Sequence, residues 1–112
     1  MSRRKVMVTG ASGLIASLLL PALRERYDLV LVDVRTTDRN GVEVDDQIAN
    51  LADKNRDAYR HLFRGVDAVV HLGFLNTHEK DNVDLYFQNE MINVQMAYNI
   101  YQVAWEEGGA PS

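Results

Sequence analysis

The sequence predicts an α/β fold in which a parallel sheet of four strands, in the order 3-2-1-4, is flanked by helices. Three observations lead to this prediction. Apolar runs of strand length alternate along the chain with stretches of helical periodicity. The first two apolar runs are continuous, as in strands that are covered on both faces. A glycine loop follows the first run directly, and Asp33 ends the second.

The elements follow one another from a buried strand over 5–9 to a long last helix. The first helix, from 14 to about 27, is expected to pack through Leu14, Leu18 and Ala22. Pro21 lies inside it and predicts a kink there. The other predicted elements are a strand over 29–33, a polar loop over 36–41, a weak strand over 43–49, a helix over 54–64 closed by Gly65, a strand over 66–72, and a helix over 82–107 stopped by Gly108 and Gly109.

The long helix over 82–107 has more apolar residues than one sheet-facing stripe requires. The first stripe, which we expect to face the core, contains Phe87, Met91, Val94, Tyr98, Tyr101 and Trp105. The second contains Leu85, Ile92, Met96, Ile100 and Val103. Because a chain of 112 residues offers the second stripe no obvious partner, it predicts a homodimer through this helix.

Composition excludes several classes of function. The length allows one domain, and a net charge of −4 argues against nucleic acid as a partner. The absence of cysteine excludes disulfides and thiolate metal sites, and the spacing of His61, His71 and His78 does not suit zinc. No apolar run approaches the ~20 residues that span a bilayer, and none near the N-terminus suits a signal peptide. We therefore expect a cytoplasmic protein that binds neither metal nor membrane.

The glycine loop between the first strand and the first helix predicts a site for a pyrophosphate. Gly10 allows a tight turn, and Gly13 allows backbone to approach a ligand closely. Ala16 is small enough for close packing of helix on strand, and the hydroxyl of Ser12 is expected to donate to phosphate. The helix directs free N–H groups and the positive end of its dipole at the anion.

Asp33 lies about twenty residues beyond the glycine loop, where a carboxylate accepts hydrogen bonds from the ribose hydroxyls of an adenosine. Its charge would repel a 2′-phosphate, so NAD is favoured over NADP. Arg35 keeps NADP as a less favoured alternative.

The stretch from Thr9 to Ala16 resembles the Thr-Gly-x-x-Gly-x-x-Gly loop of the extended short-chain dehydrogenase/reductases, the NAD-dependent epimerase/dehydratase family. The resemblance implies a Rossmann-type sheet. Four further blocks agree with that family in order and spacing: Val32-Asp33, Asn50-Leu-Ala-Asp53, Gly65-Val-Asp-Ala-Val-Val-His-Leu-Gly73 and Asn93-Val94. Within the group, His-Leu-Gly together with Asp-Val-Arg is similar to the uronate dehydrogenases.

The resemblance implies a role in NAD binding for each matching position. The pyrophosphate would be wrapped by Gly10, Ser12, Gly13, Leu14 and Ile15, and the adenosine ribose held by Asp33. Adenine would be contacted by Asn50 and Leu51, where the family has Asp followed by Leu or Ile. The nicotinamide-side ribose would be lined by Leu72, Gly73 and Phe74, the last bulkier than is usual in the family. Asn93 matches a helix asparagine near the active site.

The catalytic Tyr-x-x-x-Lys of the family does not occur in this sequence. The residues four positions after Tyr27, Tyr59, Tyr86, Tyr98 and Tyr101 are Leu31, Phe63, Glu90, Gln102 and Trp105. Without that proton relay, we assign no catalytic residue and expect the chain alone to be inactive. We expect residues 1–112 to be an incomplete NAD(P)-binding domain, truncated before the catalytic half of an enzyme acting on a sugar-like alcohol or ketone. The alternatives are a non-catalytic nucleotide-sensing or interaction module, and a truncated fragment without independent function.

Overall fold

The computed structural model describes residues 3–38, 41–75 and 82–108; the predicted roles of His78 and Gly109 lie outside these ranges. The strands are β1 (Lys5–Thr9), β2 (Asp28–Asp33), β3 (Gln47–Ile48) and β4 (Ala68–His71), and the α-helices are α1 (Leu14–Arg26) and α2 (Val83–Glu107). Two 3₁₀ turns, Arg56–Ala58 and Arg60–Phe63, precede β4. None of the helices in the described ranges is long and apolar enough to cross a membrane.

The four strands form one parallel sheet in the order β3-β2-β1-β4, which confirms the predicted order. Thr9 at the end of β1 pairs with Val32 of β2 and with His71 at the end of β4. The three strands therefore end at the same edge of the sheet. Asp33, the last residue of β2, therefore lies at the same edge as the loops that carry the glycines and the 72–75 segment.

Two apolar clusters cover the two faces of the sheet, because successive side chains of a strand point to opposite sides. Met7 of β1 belongs to one cluster, while Val6 and Val8 belong to the other. The Met7 cluster joins the sheet to α2 and the 3₁₀ turns through Val32, Leu51, Tyr59, Phe63, Ile100 and Val103. The other joins it to α1 through Ala11, Ala16, Leu20 and Leu31.

The predicted inner face of α1 was wrong. Ala16 and Leu20 are its buried residues, whereas Leu14 and Leu18 are 53% and 73% exposed and Ala22 is exposed as well. The small Ala16 allows the first turn to approach the sheet closely, and this contact sets the rotation of the whole helix. The helix continues through Pro21, so the predicted irregularity does not end it.

The prediction that the first stripe of α2 faces the core was wrong, and the core contacts come from the C-terminal part of the second stripe, while Leu85 and Ile92 are exposed. Ile100 and Val103 of the second stripe are 5% and 0% exposed, and Met96 packs against the same core. The residues of the first stripe are all about half exposed or more: Phe87, Met91, Val94, Tyr98, Tyr101 and Trp105. The core thus receives aliphatic side chains of α2, and the large aromatic side chains of the first stripe lie outside it.

Two predicted elements around the third strand are shorter than expected. The strand predicted over 43–49 is reduced to β3, because the backbone before it turns on itself: Val44 N donates to Thr36 O and Asp46 N to Val44 O. The helix predicted over 54–64 is divided into the two 3₁₀ turns at Tyr59, whose φ of −131° is not helical. The Tyr59 hydroxyl bonds to backbone carbonyls, which holds the chain in that conformation.

Candidate functional site

A crevice opens at the edge of the sheet where β1 and β4 end, between the glycine loop and the loops that follow β3 and β4. It consists of two adjoining cavities of about 560 and 570 Å³. Both cavities are bordered by Gly10, Asp33, Val34, Gly73 and Phe74. In an open parallel sheet this is the point at which strand order reverses, and ligands bind there.

Gly10 of the glycine loop lies against the segment that follows β4. Its φ is +68°, which a side chain disfavours. A Cβ on Gly10 would lie 2.7 Å from the amide nitrogen of Gly73 and 2.8 Å from the carbonyl carbon of Leu72. The glycine therefore allows both the turn that was predicted and a backbone contact between loops that the sequence did not indicate.

The first turn of α1 faces the first cavity with unpaired backbone donors. Gly13 is the N-cap; no side chain caps the helix, and no acidic residue lies in the first turn. Leu14 and Ile15 line the cavity. The positive end of the helix dipole and its free N–H groups are thus directed into the crevice, where they fit an anionic diphosphate. Gly10 and Gly13 line the same cavity.

Asp33 stands between the two cavities at the end of β2. Its Oδ2 accepts a hydrogen bond from the backbone N–H of Ser12 (2.9 Å), and its Oδ1 accepts one from Val34 (2.6 Å). Each carboxylate oxygen retains a further lone pair, so the group fits the two hydroxyls of a ribose. Arg35 is exposed and lines the first cavity beside it.

Ser12 is fully buried, and its hydroxyl is turned away from the crevice. The Oγ lies 2.9 Å from the carbonyl of Arg35 and 2.8 Å from Oδ2 of Asp46. The prediction that this hydroxyl donates to phosphate is therefore wrong. The hydroxyl has one proton for these two oxygens, and a proton on the Asp46 carboxyl would supply the second hydrogen bond. Burial raises the pKa of Asp46, in agreement with this arrangement.

The second cavity has Asn50, Leu51 and Ala52 on one wall. Oδ1 of Asn50 accepts a hydrogen bond from the N–H of Ala52 (3.1 Å), which rounds the backbone into a turn. The side chain of Leu51 is only 4% exposed and belongs to the core, so this residue borders the cavity while packing inward.

The opposite wall is the segment after β4. Leu72 borders the first cavity, Gly73 and Phe74 border both, and Phe74 is 69% exposed. Asn93 of α2 does not line either cavity. Instead its Oδ1 accepts from the N–H of Leu75 (2.6 Å) and its Nδ2 donates to the Leu75 carbonyl (3.1 Å), so it holds this wall from behind.

Thr9 joins the ends of β1 and β4. Its Oγ1 accepts hydrogen bonds from the N–H groups of Leu72 (3.1 Å) and Gly73 (3.2 Å). With both lone pairs used, the hydroxyl donates its proton to Nδ1 of His71, at 2.5 Å. This arrangement requires the neutral imidazole with its proton on Nε2. Partial burial lowers the pKa of His71, which favours the same state.

The structure brings eleven of the thirteen predicted site residues to the walls of the crevice; Ser12 and Asn93 instead support those walls. Sequence reasoning missed the supporting residues Thr9, Asp46 and Asn99. A signal existed for Asn99, a polar residue within the apolar stripe of Met96 and Val103, where burial requires hydrogen-bond partners. Asp46 carried no such signal.

The family model of the NAD dependent epimerase/dehydratase family matches residues 6–110. The chain belongs to this family. The fold and the resemblance predicted from the sequence are thereby confirmed, and a nicotinamide dinucleotide as cofactor agrees with this membership. No curated protein matches the chain.

Solved structures similar to the chain include uronate dehydrogenase from Agrobacterium tumefaciens, 27% identical with a TM-score of 0.69 over 96% of this chain and 38% of that one. A mutant of uronate dehydrogenase from the same organism, complexed with NAD, is 26% identical with a TM-score of 0.68 over 96% and 38%. Glucuronic acid dehydrogenase from Chromohalobacter salexigens is 27% identical with a TM-score of 0.63 over 94% and 37%. The chain thus spans little more than a third of the length of these proteins.

Proposed function

We propose that the crevice binds NAD and that residues 1–112 form the NAD(P)-binding, incomplete Rossmann domain of an NAD-dependent oxidoreductase or epimerase. One observation carries this proposal. The uncapped N-terminus of α1, the glycine loop and the Asp33 carboxylate all border the same crevice. They provide positive potential for a diphosphate and hydrogen-bond acceptors for a ribose.

In this proposal the glycine loop and first turn of α1 hold the pyrophosphate, and Asp33 holds the adenosine ribose. The wall of Asn50 and Leu51 lies against adenine, and the wall of Gly73 and Phe74 lies toward nicotinamide. When bound, NAD supplies a hydride acceptor for the oxidation of an alcohol carbon. The residues of this chain bind and orient it; the exposed ring of Phe74 narrows the nicotinamide end.

Asp33 favours NAD over NADP in this proposal, because a 2′-phosphate would stand beside its negative charge. Both oxygens of Asp33 are fixed by backbone N–H groups, so the carboxylate cannot turn away from the crevice without losing those bonds. Arg35 beside it offers the charge that a 2′-phosphate would require.

The substrate that we propose for the whole enzyme is a sugar-like alcohol or ketone, and a sugar acid in particular. Support comes from the two similar proteins named uronate and glucuronic acid dehydrogenase. The reaction would need a proton relay, and the 112 residues contain no Tyr-x-x-x-Lys. We therefore propose that this chain alone binds cofactor without turning over substrate.

A homodimer through α2 also remains part of the proposal, on a different face from the one expected. The exposed stripe that includes Phe87, Tyr98 and Tyr101 is the apolar surface available to a second copy.

Thermal unfolding with added NAD tests the proposed function. We expect the midpoint to rise with NAD concentration, because a ligand that binds only the folded state stabilises it. Gly13→Asp places a carboxylate at the N-terminus of α1 and should abolish the rise, while Val42→Asp, which adds the same charge at an exposed position outside both cavities, should retain it. An unchanged midpoint of the unmodified chain at millimolar NAD would contradict the proposal.

A further inference from the structure

Asn99 of α2 makes three hydrogen bonds although it is only 1% exposed. Its Nδ2 donates to the carbonyl oxygens of Leu51 (2.9 Å) and Asp53 (3.1 Å), and its Oδ1 accepts from Nε2 of Gln95 (2.8 Å). Both protons of the amide are thus used on one short segment of the chain, residues 51–53.

Tyr59 reaches the same two carbonyls from the junction of the 3₁₀ turns. Its hydroxyl lies 2.9 Å from the Asp53 oxygen and 3.3 Å from the Leu51 oxygen, and its ring is 1% exposed within the core. Burial raises the pKa of Tyr59, so the phenol keeps its proton and remains a donor at neutral pH. Residues 51–53 are therefore held by two buried donors from two different elements.

The front of this segment is a wall of the crevice. Asn50, Leu51 and Ala52 border the second cavity, whereas neither Asn99 nor Tyr59 does. The two donors consequently lie behind the wall and fix its backbone through the carbonyl oxygens. Hydrogen bonds are directional, so they fix the distance and the orientation of the wall more narrowly than apolar packing does.

A leucine would be the ordinary choice at position 99, because the neighbouring stripe residues Met96, Ile100 and Val103 pack in the core. Burying an amide is costly unless every polar atom is paired. Here all are paired, and the partners are the backbone atoms of a wall of the crevice. The polar residue thus fixes the position of the wall, which an apolar residue would not do.

We propose that Asn99 is a positioning residue that sets the adenine-facing wall of the crevice through the carbonyls of Leu51 and Asp53, with Tyr59 as the second donor. This inference rests on the proposed function, because it presupposes that adenine lies against this wall. Asn93, six residues earlier on α2, holds the backbone of Leu75 on the opposite wall. One helix thus fixes both walls, each through its own asparagine, and the two ends of the crevice should respond separately to mutation.

The test compares AMP with nicotinamide mononucleotide, the two halves of NAD, by NMR titration of the 112-residue chain. Asn99→Leu keeps the size of the side chain and removes its donors. We expect the affinity for AMP to fall about tenfold, which corresponds to the loss of one to two buried hydrogen bonds. The affinity for nicotinamide mononucleotide should change by less than about twofold. Tyr59→Phe retains the ring in the core and should weaken AMP about threefold. Gln102→Leu, which removes an amide of the same helix that bonds to Glu106, should change neither.

Amide hydrogen exchange without ligand provides the second readout. Exchange at residues 51–53 should accelerate in the Asn99 and Tyr59 variants and stay unchanged in Gln102→Leu. Equal weakening of both half-ligands would indicate a structural role and overturn the proposal, as would unchanged AMP affinity. If the unmodified chain binds neither half-ligand, the proposed function fails. Faster amide exchange at residues 51–53 in the Asn99 variant would then show that Asn99 supports this segment but has no part in binding.

Discussion

Asp46 is the residue whose side chain responds most directly to pH in this account. Its carboxyl shares the single hydroxyl proton of Ser12 with the Arg35 carbonyl, and its Oδ1 has no hydrogen-bond partner within the described part of the chain. Burial raises the pKa of Asp46, the hydrogen bond from Ser12 lowers it in part, and the charges of Asp33 and Asp45 raise it further. The folded state therefore binds this proton more tightly than the unfolded state does.

The stabilisation from protonated Asp46 is fully present below the ordinary pKa of an aspartate and is lost as pH rises through the raised value in the fold. Asp46→Asn cannot ionise and can still donate to Ser12. We expect it to be more stable than the unmodified chain at neutral pH by about 1 kcal/mol, with the difference vanishing below about pH 4. Urea unfolding at both pH values measures this; a variant that is less stable at neutral pH would exclude a protonated Asp46.

Thr9 gives a second prediction at the scale of one residue. Thr9→Val removes the acceptor of two N–H groups, those of Leu72 and Gly73, and the donor to His71. We expect a loss of about 2 kcal/mol in unfolding free energy. The pKa of His71, followed by NMR, should change in the same variant. Thr36→Val, at an exposed position, is the control and should cost less than about 0.5 kcal/mol. Equal losses of unfolding free energy in Thr9→Val and Thr36→Val would show that the hydrogen bonds of the Thr9 hydroxyl do not stabilise the fold.

The supporting residues explain which parts of the site could be predicted. Gly10, Gly13 and Asp33 have roles that follow from local spacing, because a glycine loop between strand and helix has few possible conformations. Thr9, Asp46 and Asn99 act on segments 34 to 64 positions away in the sequence. No local pattern contains such pairings, so only the fold could place them.

At the scale of elements, β1, β2 and β4 were predicted closely, whereas β3 and the helix faces were not. A continuous apolar strand is buried on both sides, so predicting it does not require knowing which of its faces points to the core. A helix with apolar residues around much of its circumference, such as α1, leaves several possible rotations. The close packing permitted by Ala16 decides among them, and it buries Leu20 and exposes Leu18.

The rotation of α1 gives a prediction for a matched pair of leucines. Leu20→Ala should lower the unfolding free energy by about 2 to 3 kcal/mol, because it leaves a cavity under the helix. Leu18→Ala removes the same atoms from a side chain that is 73% exposed and should cost less than about 0.5 kcal/mol. Chemical denaturation measures both. A larger loss of unfolding free energy in Leu18→Ala than in Leu20→Ala would support the inner face predicted from the sequence.

At the scale of the whole molecule, the described part of the chain leaves apolar surface uncovered. β4 is an edge of the sheet, and a cavity of about 660 Å³ lies between it and α2, bordered by Val69, Tyr101 and Trp105. An unpaired edge and an exposed apolar face favour association with another chain. We therefore expect the isolated chain to be marginally stable as a monomer.

Light scattering after size exclusion tests the proposed homodimer. We expect a particle of twice the chain mass of 12.7 kDa. The pair Phe87→Ser and Tyr101→Ser changes two exposed positions of α2 and should yield a folded monomer by circular dichroism, whereas Leu18→Ser on α1 should remain dimeric. A well-folded, stable monomer of the unmodified chain would contradict the prediction.

The central claim is that this crevice binds a dinucleotide and that Asp33 selects NAD over NADP. Calorimetric titration with NAD and NADP tests it most directly. We expect the unmodified chain to bind NAD measurably more tightly than NADP, and Asp33→Ala to narrow the difference by weakening NAD and removing the repulsion of the 2′-phosphate. Equal affinities of the unmodified chain for the two dinucleotides, or an unchanged ratio in Asp33→Ala, would contradict the account.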